Sequence, residues 1–188
     1  MAKNKNKQKQ SSKTKVIASS GSFQIEMVKY AGSIDNDKLI EISESLVKEY
    51  GSAARLTENT IQTYFNRPGT LPFIAREHGE IVGYIIGLPL EMLKMEPWAR
   101  LDVNFNQQNT IYTYAFVIDQ DHKGNGYAKI LKKVYLNQIK KQEGIQFVTG
   151  HVKEGIASRF SGSISIIKKI KNWQGTGKVF EYYRRVLS

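Results

Sequence analysis

Apolar residues along this chain follow two periods, and together they predict an alternation of strands and helices. Residues 111–118 are a run of β-branched and aromatic side chains, which predicts a strand covered on most of both faces. After a polar turn, apolar residues recur at helical spacing, namely Ile130, Leu131, Val134, Tyr135 and Ile139. The segment from Lys123 to Ala128 is therefore predicted to lie where a strand gives way to a helix.

The same two periods predict the elements on either side. Before this segment they indicate a strand over 22–30, a helix from Asp35 or Asn36 to Tyr50, a short helix capped by Thr57, and strands over 71–75 and 81–88. After it they indicate a strand over 145–152, a helix from Ser161 or Ser163 to Ile170, and a strand over 178–187, with 171–175 as a candidate further strand. This mixture of elements is typical of a mixed α/β (α+β) domain.

Residues 89–110 form an insertion that is longer than a hairpin turn. Its apolar residues predict a short helix over 91–95. Such an insertion can cover a sheet edge by plain packing, line a substrate pocket, or meet a second subunit in a homodimer. The sequence leaves these three roles open.

Residues 1–20 alternate lysine with Asn, Gln and Ser and contain almost nothing that a core could bury. We therefore expect a disordered, lysine-rich tail, followed by one folded domain over residues 21–188. The simpler interpretation is a solvated tail. The alternative is a weak electrostatic contact with nucleic acid or another anionic surface, although nucleic acid is not an expected partner.

The composition is that of an ordinary globular domain and excludes several kinds of site. The chain has 188 residues, of which 40% are hydrophobic and 24% charged, and no apolar run approaches the roughly 20 residues that span a bilayer. No secretory hydrophobic block follows the basic start, so we expect a cytoplasmic protein without membrane contact. Because cysteine is absent, disulfides and thiolate nucleophiles are excluded; the three histidines show no ligand-like spacing, so no metal is expected.

Positive charge is concentrated towards the end of the chain. The net charge is +11, yet residues 16–119 hold 8 basic and 13 acidic residues, whereas residues 120–188 hold 14 basic and 4 acidic residues. Such a distribution fits a polyphosphate ligand and also a nucleic acid, since both are polyanions. The charge distribution alone does not distinguish a polyphosphate ligand from a nucleic acid.

The glycines at the predicted strand-to-helix junction favour a phosphate ligand. A helix start leaves several N–H groups unpaired and carries partial positive charge. Gly124, Gly126 and the small Ala128 let an anion approach the main chain, and nearby lysines add charge. The segment is neither a dinucleotide fingerprint, because Lys129 stands where a third glycine is needed, nor a P-loop. A plain tight loop capping the helix is the alternative.

Lys123-Gly124-Asn125-Gly126-Tyr127-Ala128 resembles the pyrophosphate-binding signature of the GNAT family of N-acetyltransferases, Gln/Arg-x-x-Gly-x-Gly/Ala between a strand and a helix. Lys123 departs from the Gln or Arg of the first position. The predicted order of elements follows the same family. The resemblance implies a twisted, mostly antiparallel central sheet of six to seven strands with helices on both faces.

The resemblance also implies a function, transfer of an acetyl group from acetyl-CoA to a primary amine in a ternary complex without a covalent enzyme intermediate. It assigns the coenzyme pyrophosphate to residues 123–128. It assigns the pantetheine and the thioester carbonyl to the backbone of the preceding strand, at Phe116, Val117 and Ile118. The alternative is a catalytically weak module with this fold that binds nucleic acid or a protein partner.

The resemblance also implies catalytic residues, but not all of them are found in this sequence. His151 and Glu154 lie where the predicted fifth strand ends and are the candidates for a general base. The family's usual thiolate-protonating tyrosine is missing, because Ile167 stands at that place. Tyr114 is a candidate substitute, together with Tyr112, Tyr182 and Tyr183. Water as the acid, or binding of the coenzyme without much catalysis, is the other explanation.

Overall fold

The structure, a computed structural model, describes residues 9–187. Eight strands are present over these residues: β1 (Lys13–Ser20), β2 (Phe23–Tyr30), β3 (Leu71–Glu77), β4 (Glu80–Pro89), β5 (Thr110–Ile118), β6 (Phe147–Lys153), β7 (Ile164–Ile170) and β8 (Phe180–Val186). They form one sheet in the order β1-β2-β3-β4-β5-β6-β8-β7. Neighbouring strands are antiparallel except for β5 and β6, which are parallel.

Helices cover both faces of the sheet, as predicted. They are α1 (Ser33–Tyr50), α2 (Glu58–Phe65), the single turn α3 (Pro97–Arg100) and α4 (Tyr127–Ile139). Leu46 of α1 and Phe65 of α2 belong to one core cluster, whereas Leu131 of α4 belongs to a second. The sheet therefore separates two cores. None of the helices over residues 9–187 has the length and apolar character that crossing a membrane requires.

The N-cap predicted from the sequence is correct for α2 and wrong for α1. Thr57 caps α2 as predicted, in a capping box with Thr60. In α1, however, the cap is Gly32 rather than Asp35 or Asn36, which lie inside the first turns. Asp35 instead accepts a hydrogen bond from Arg76 at 2.9 Å. A tertiary partner therefore takes the carboxylate that could have capped the helix.

The prediction of a disordered tail over residues 1–20 is wrong for Lys13–Ser20, which form β1. Residues 1–8 of the predicted tail lie outside the described part of the chain. Gly21, with φ +59°, makes the tight turn that folds β1 back onto β2. Val16 in β1 is half exposed. The strand is thus held by backbone pairing more than by burial, which hydrophobic patterning does not detect, and it brings the sheet to eight strands.

The predicted helix from Ser161 or Ser163 to Ile170 is also wrong, because this segment is the edge strand β7. Ile164, Ile167 and Ile170 are spaced as in a helix, but isoleucine is β-branched and suits a strand equally well. Pairing with β8 decides the outcome. The candidate strand over 171–175 is a 3-10 turn, Trp173–Gly175.

The insertion over 89–110 packs against the sheet through its middle. It contains a 3-10 turn (Leu90–Leu93), in place of the predicted helix over 91–95, and then α3. Asp102 is buried and accepts hydrogen bonds from the Tyr182 hydroxyl at 2.6 Å and from Arg184 at 2.7 Å. These contacts fix the insertion to β8 and bring Trp98 against the sheet.

Candidate functional site

The sheet opens between β5 and β6. The two strands pair from Thr110 opposite Phe147 only as far as Thr113 opposite Gly150, although both continue beyond this point. The pairing stops at an irregularity in β5, where Ile86 and Gly87 of β4 face Ala115 and Thr113, leaving Tyr114 as an extra residue. Such a bulge bends a strand and increases its twist. The bulge therefore accounts for the separation of β5 from β6.

A cavity of about 160 Å³ lies in this opening and reaches both faces of the sheet. The face that carries α4 contributes Lys132, Tyr135 and Leu136, and the face that carries α1 contributes Leu46, Tyr50 and Ala54. Tyr114 and His151 lie along the separated strands. Two ligands that approach from opposite faces can therefore meet inside the sheet.

The edge of β5 presents backbone donors to this opening. Successive N–H groups of a strand point alternately to its two neighbours. The N–H of Asp119 donates to the Val82 carbonyl of β4 at 2.8 Å, so the N–H of Val117 points the same way. The N–H groups of Phe116 and Ile118 then point to the side that β6 has left. Two of the three residues predicted to hold the thioester arm thus offer free amides.

The start of α4 forms a second set of free amides. Gly126 caps the helix with φ +78° and Gly124 has φ +90°, a region that favours glycine. A Cβ added at either glycine would meet no atom within 4 Å, so the glycines are required by the backbone conformation and leave open space in front of it. Within residues 9–187 the N–H groups from Gly124 to Ala128 have no hydrogen-bond partner. An anion can bind there.

The side chains of residues 123–128 contribute little to the space in front of the free amides. Tyr127 stacks on Phe23 with 4.1 Å between ring centroids, and its hydroxyl donates to Glu77 at 2.8 Å, so only its backbone remains for a ligand. Asn125 and Ala128 are exposed. Lys123 is exposed as well, and its Nζ donates to Gln120 at 2.8 Å. The main chain is therefore the preorganised part of this candidate anion site.

Lys132, one helical turn further along α4, faces the cavity. Its Nζ lies 3.3 Å from the centroid of the Phe160 ring. Burial lowers the pKa of Lys132 to about 8, and the nearby Arg185 guanidinium is a second, smaller cause of this shift. The α4 side of the cavity consequently carries positive charge that only partly meets solvent.

His151 lies in an aromatic cluster on the opposite face. Its ring is held between Trp173 at 3.9 Å and Tyr182 at 4.8 Å. Its Nδ1 lies 3.0 Å from the Tyr112 hydroxyl, whereas its Nε2 is buried and has no partner among the described residues. Burial lowers the pKa of His151 to about 3, so that the ring is neutral at physiological pH.

Comparison with known families agrees with this arrangement. Residues 39–157, which include β5, the glycine segment, α4 and His151, match the model of the acetyltransferase (GNAT) family. The chain belongs to the GNAT family. No curated relative matches it by sequence. The fold and the family expected from the glycine segment are thereby confirmed.

Solved structures with the same fold include several GNAT acetyltransferases. The ribosomal-protein-S18-alanine N-acetyltransferase from Escherichia coli has a TM-score of 0.61 at 13% identity, covering 88% of this chain and 94% of that one. The putative acetyltransferase yncA from Salmonella typhimurium, solved with acetyl-CoA, has a TM-score of 0.64 at 15% identity over 89% and 95%. Arabidopsis thaliana NAA60, solved with a bisubstrate analogue, has 0.59 at 14% over 82% and 95%.

The other predicted catalytic residues of this GNAT chain separate into two groups. Tyr114 lines the cavity and packs on Tyr64, and burial raises its pKa, so that it keeps its proton. Glu154 is not among the cavity residues; it is half exposed and pairs with Lys169 at 2.6 Å. The structure therefore brings His151 and Tyr114 together at the opening and places Glu154 outside it.

The position of the family's usual tyrosine needs correction. Ile167 lies on the edge strand β7 with 44% of its surface exposed, so there is no helix to supply a hydroxyl from that place. Tyr112 and Tyr182 already have hydrogen-bond partners for their hydroxyls, in His151 and Asp102. Tyr183 lines the cavity with Tyr114.

The surroundings of His151 were not predicted from the sequence. Trp98 lies 4.7 Å from the His151 ring, and Trp173 stacks on it. Both tryptophans of the chain thus lie in this cluster, and their rarity was the one available signal. Their positions depend on the insertion and on the turn before β8, which no local pattern relates to β6.

We expect His151 to make the folded state sensitive to mild acid. The unfolded state, with a histidine pKa of about 6.5, binds a proton before the folded state does. Stability is therefore unaffected above pH 6.5 and falls by up to about 1.4 kcal/mol per pH unit below it, or about 2 kcal/mol between pH 7 and pH 5. His151→Phe should remove this loss. Urea unfolding of both proteins at the two pH values measures it.

His78 provides the matched control, because its side chain is 80% exposed. His78→Asn keeps a residue that tolerates its φ of +50° and should retain the pH dependence of the unsubstituted protein. A His151→Phe protein that loses stability towards pH 5 as steeply as the unsubstituted protein would contradict the assignment.

Proposed function

We propose that this chain is an N-acetyltransferase that moves an acetyl group from acetyl-CoA directly to a primary amine within a ternary complex. The observation that carries the proposal is the opening between β5 and β6, whose cavity reaches both faces of the sheet and is lined by α4 one turn beyond its free amides. Direct transfer requires donor and acceptor to meet without a covalent enzyme intermediate. A passage through the sheet supplies such a meeting point.

The donor would bind along the α4 face. In this proposal the pyrophosphate accepts hydrogen bonds from the N–H groups of Gly124 to Ala128, and the pantetheine arm follows the edge of β5 to the amides of Phe116 and Ile118. The thioester carbonyl then lies at the bulge, where preorganised N–H donors stabilise the charge that develops on its oxygen. The Salmonella typhimurium structure with its acetyl-CoA supports this cosubstrate.

The acceptor would enter from the α1 face, past Tyr50 and Trp173. The amine nitrogen attacks the thioester carbon, a C–N bond forms, and the C–S bond breaks. With Nδ1–H donating to the Tyr112 hydroxyl, the free Nε2 of His151 accepts an N–H of the amine and orients it. Tyr114 is the proposed donor of a proton to the thiolate, and the proton that leaves the nitrogen replaces it on the Tyr114 oxygen.

The test is release of coenzyme A thiol from acetyl-CoA with a panel of amines that includes amino acid amides, polyamines, aminoglycosides and peptides. Turnover with at least one amine, and none with alcohols, is expected. Thermal shift with coenzyme A and with a short duplex tests the alternative of a basic binding module. Stabilisation by the duplex alone, with no thiol release, would overturn the proposal.

Lys123→Ala is expected to weaken coenzyme A binding only slightly, by no more than about tenfold. The reason is that Lys123 is exposed and that the anion site is built from backbone amides. Isothermal titration calorimetry measures the change. Complete loss of binding in this variant would mean that the phosphate site depends on the lysine side chain instead.

A further inference from the structure

The acceptor side of the cavity contains no carboxylate. Its lining on the face that carries α1 is apolar and aromatic apart from one imidazole and one amide: Leu46, Tyr50, Ala53, His151, Trp173 and Gln174. Two side chains in the lining are cationic at pH 7, Lys132 and Arg185, and they belong to α4 and β8 at the other face. No acidic residue of the described chain lines the cavity from either side.

The acidic residues of the first two helices have other partners or lie elsewhere. Glu41 pairs with Lys38 at 2.8 Å, and Glu44 pairs with Arg55 at 2.6 Å. Glu58 starts α2 and is not in the lining either. These residues therefore do not form a carboxylate-rich approach for a cationic acceptor.

Asp102 lies near the acceptor side, but the Tyr182 hydroxyl and Arg184 hold its carboxylate outside the cavity. Two further carboxylates come near this side without lining it. The charge of Glu49 acts on Tyr50, and that of Glu96 acts on Tyr114. One oxygen of Glu96 accepts a hydrogen bond from the Trp98 indole at 3.1 Å. Neither is among the cavity residues, so neither can accept a proton directly from an ammonium group inside the cavity.

His151 cannot serve as the base for an ammonium group either. It is fixed between two rings and shielded from solvent, and only Nε2 is free. An imidazolium in these surroundings would lack both water and a counter-ion, so a proton taken from an alkylammonium would not stay on it. The nitrogen can orient an amine but does not deprotonate its cation.

We infer that the acceptor is an amine of low basicity, such as an α-amino group, carried on an uncharged apolar or aromatic group. The inference rests on the proposed function and names its substrate class. An α-amine with a pKa near 8 is roughly 10% neutral at pH 7, whereas a lysine-like amine is about 0.04% neutral. Only the neutral form can enter and react in a cavity whose acceptor side offers the proton no carboxylate.

The residues that line the acceptor side of the cavity also indicate which chemical group carries the amine. Tyr50 and Trp173 offer aromatic surface to an apolar side chain. A second cationic group would find no counter-ion on this side and would meet Lys132 and Arg185 further in. Polyamines and aminoglycosides are therefore poor acceptors.

The experiment compares kcat/KM for phenylalaninamide, glycinamide, Nα-acetyllysinamide and spermidine at pH 7. Phenylalaninamide should exceed Nα-acetyllysinamide by at least about thirtyfold, less than the ratio of neutral fractions because the more basic amine is the better nucleophile. Phenylalaninamide should also exceed glycinamide, through its ring. Raising the pH should increase the rate with Nα-acetyllysinamide about tenfold per unit, whereas the rate with phenylalaninamide should level off above pH 8.

A charge introduced at the entrance provides the complementary test. Ala53 is exposed at the acceptor side, so Ala53→Glu should fold and should raise kcat/KM for spermidine relative to phenylalaninamide. Equal rates with lysine-type and α-amines at pH 7, in the unsubstituted protein, would overturn this inference and leave the transferase function intact. If none of the amines supports thiol release at any pH, both this inference and the proposed transferase function are overturned.

Discussion

Gly126→Val is expected to lower the affinity for coenzyme A by at least about a hundredfold. The glycine caps α4 with φ +78°, and the space in front of it is open. A β-branched side chain would stand where the pyrophosphate approaches and would also disfavour the backbone angle that aligns the amides. Calorimetry with coenzyme A measures the loss, and a chemical denaturation curve establishes that the variant is folded.

Gly144→Val is the matched control for backbone strain. Gly144 has φ +79°, and a Cβ there would also meet nothing within 4 Å, but it lies beyond the other end of α4. Both variants should lose a similar 1–2 kcal/mol or so of stability, because a side chain is strained at such angles. If Gly126→Val retains its coenzyme affinity, or if both variants lose it equally, the anion site does not lie at the start of α4.

Asp102→Ala is expected to destabilise the protein by about 3–5 kcal/mol, because it leaves a buried charge without its partner. The Asp102 side chain is completely buried and holds the Tyr182 hydroxyl and Arg184, whose side chain is 16% exposed. Alanine would leave both donors unpaired inside the protein. Urea unfolding at pH 7 measures the change.

Asp37→Ala is the control for that experiment. Asp37 lies exposed on α1, and its replacement should change the free energy of unfolding by no more than about 0.5 kcal/mol. A comparable small change for Asp102→Ala would mean that the insertion is not held to the sheet through this carboxylate.

The parts of the fold that the sequence predicts well are those decided within a few residues. The β5 strand, the glycine turn and α4 follow one another along the chain, and each is specified by its own spacing. The Thr57 cap depends on Thr60, three residues away. The positions of half of the candidate site, the glycine turn at the start of α4 and the β5 strand, could therefore be predicted from the sequence, and anion binding there stays a prediction.

The other half depends on contacts between distant residues. Whether 164–170 becomes helix or strand is decided by pairing with β8, and the cluster around His151 is built from β5, the insertion, β8 and the turn before it. The bulge at Tyr114 depends on the register with β4. No window of neighbouring residues contains this information, so the acceptor side could not be predicted.

The position of β8 between β6 and β7 has a consequence for the order of folding. Over the described residues β7 pairs with β8 alone, and β6 otherwise has four paired positions with β5. Strand β8 follows both of its neighbours in the chain. The β6 side of the opening is therefore fixed only when β8 inserts between β6 and β7. The β3–β4 hairpin and the helix α4, by contrast, form from local contacts, which close faster. We therefore expect α4 and the β3–β4 hairpin to acquire hydrogen-exchange protection during refolding before β6 and β8 do.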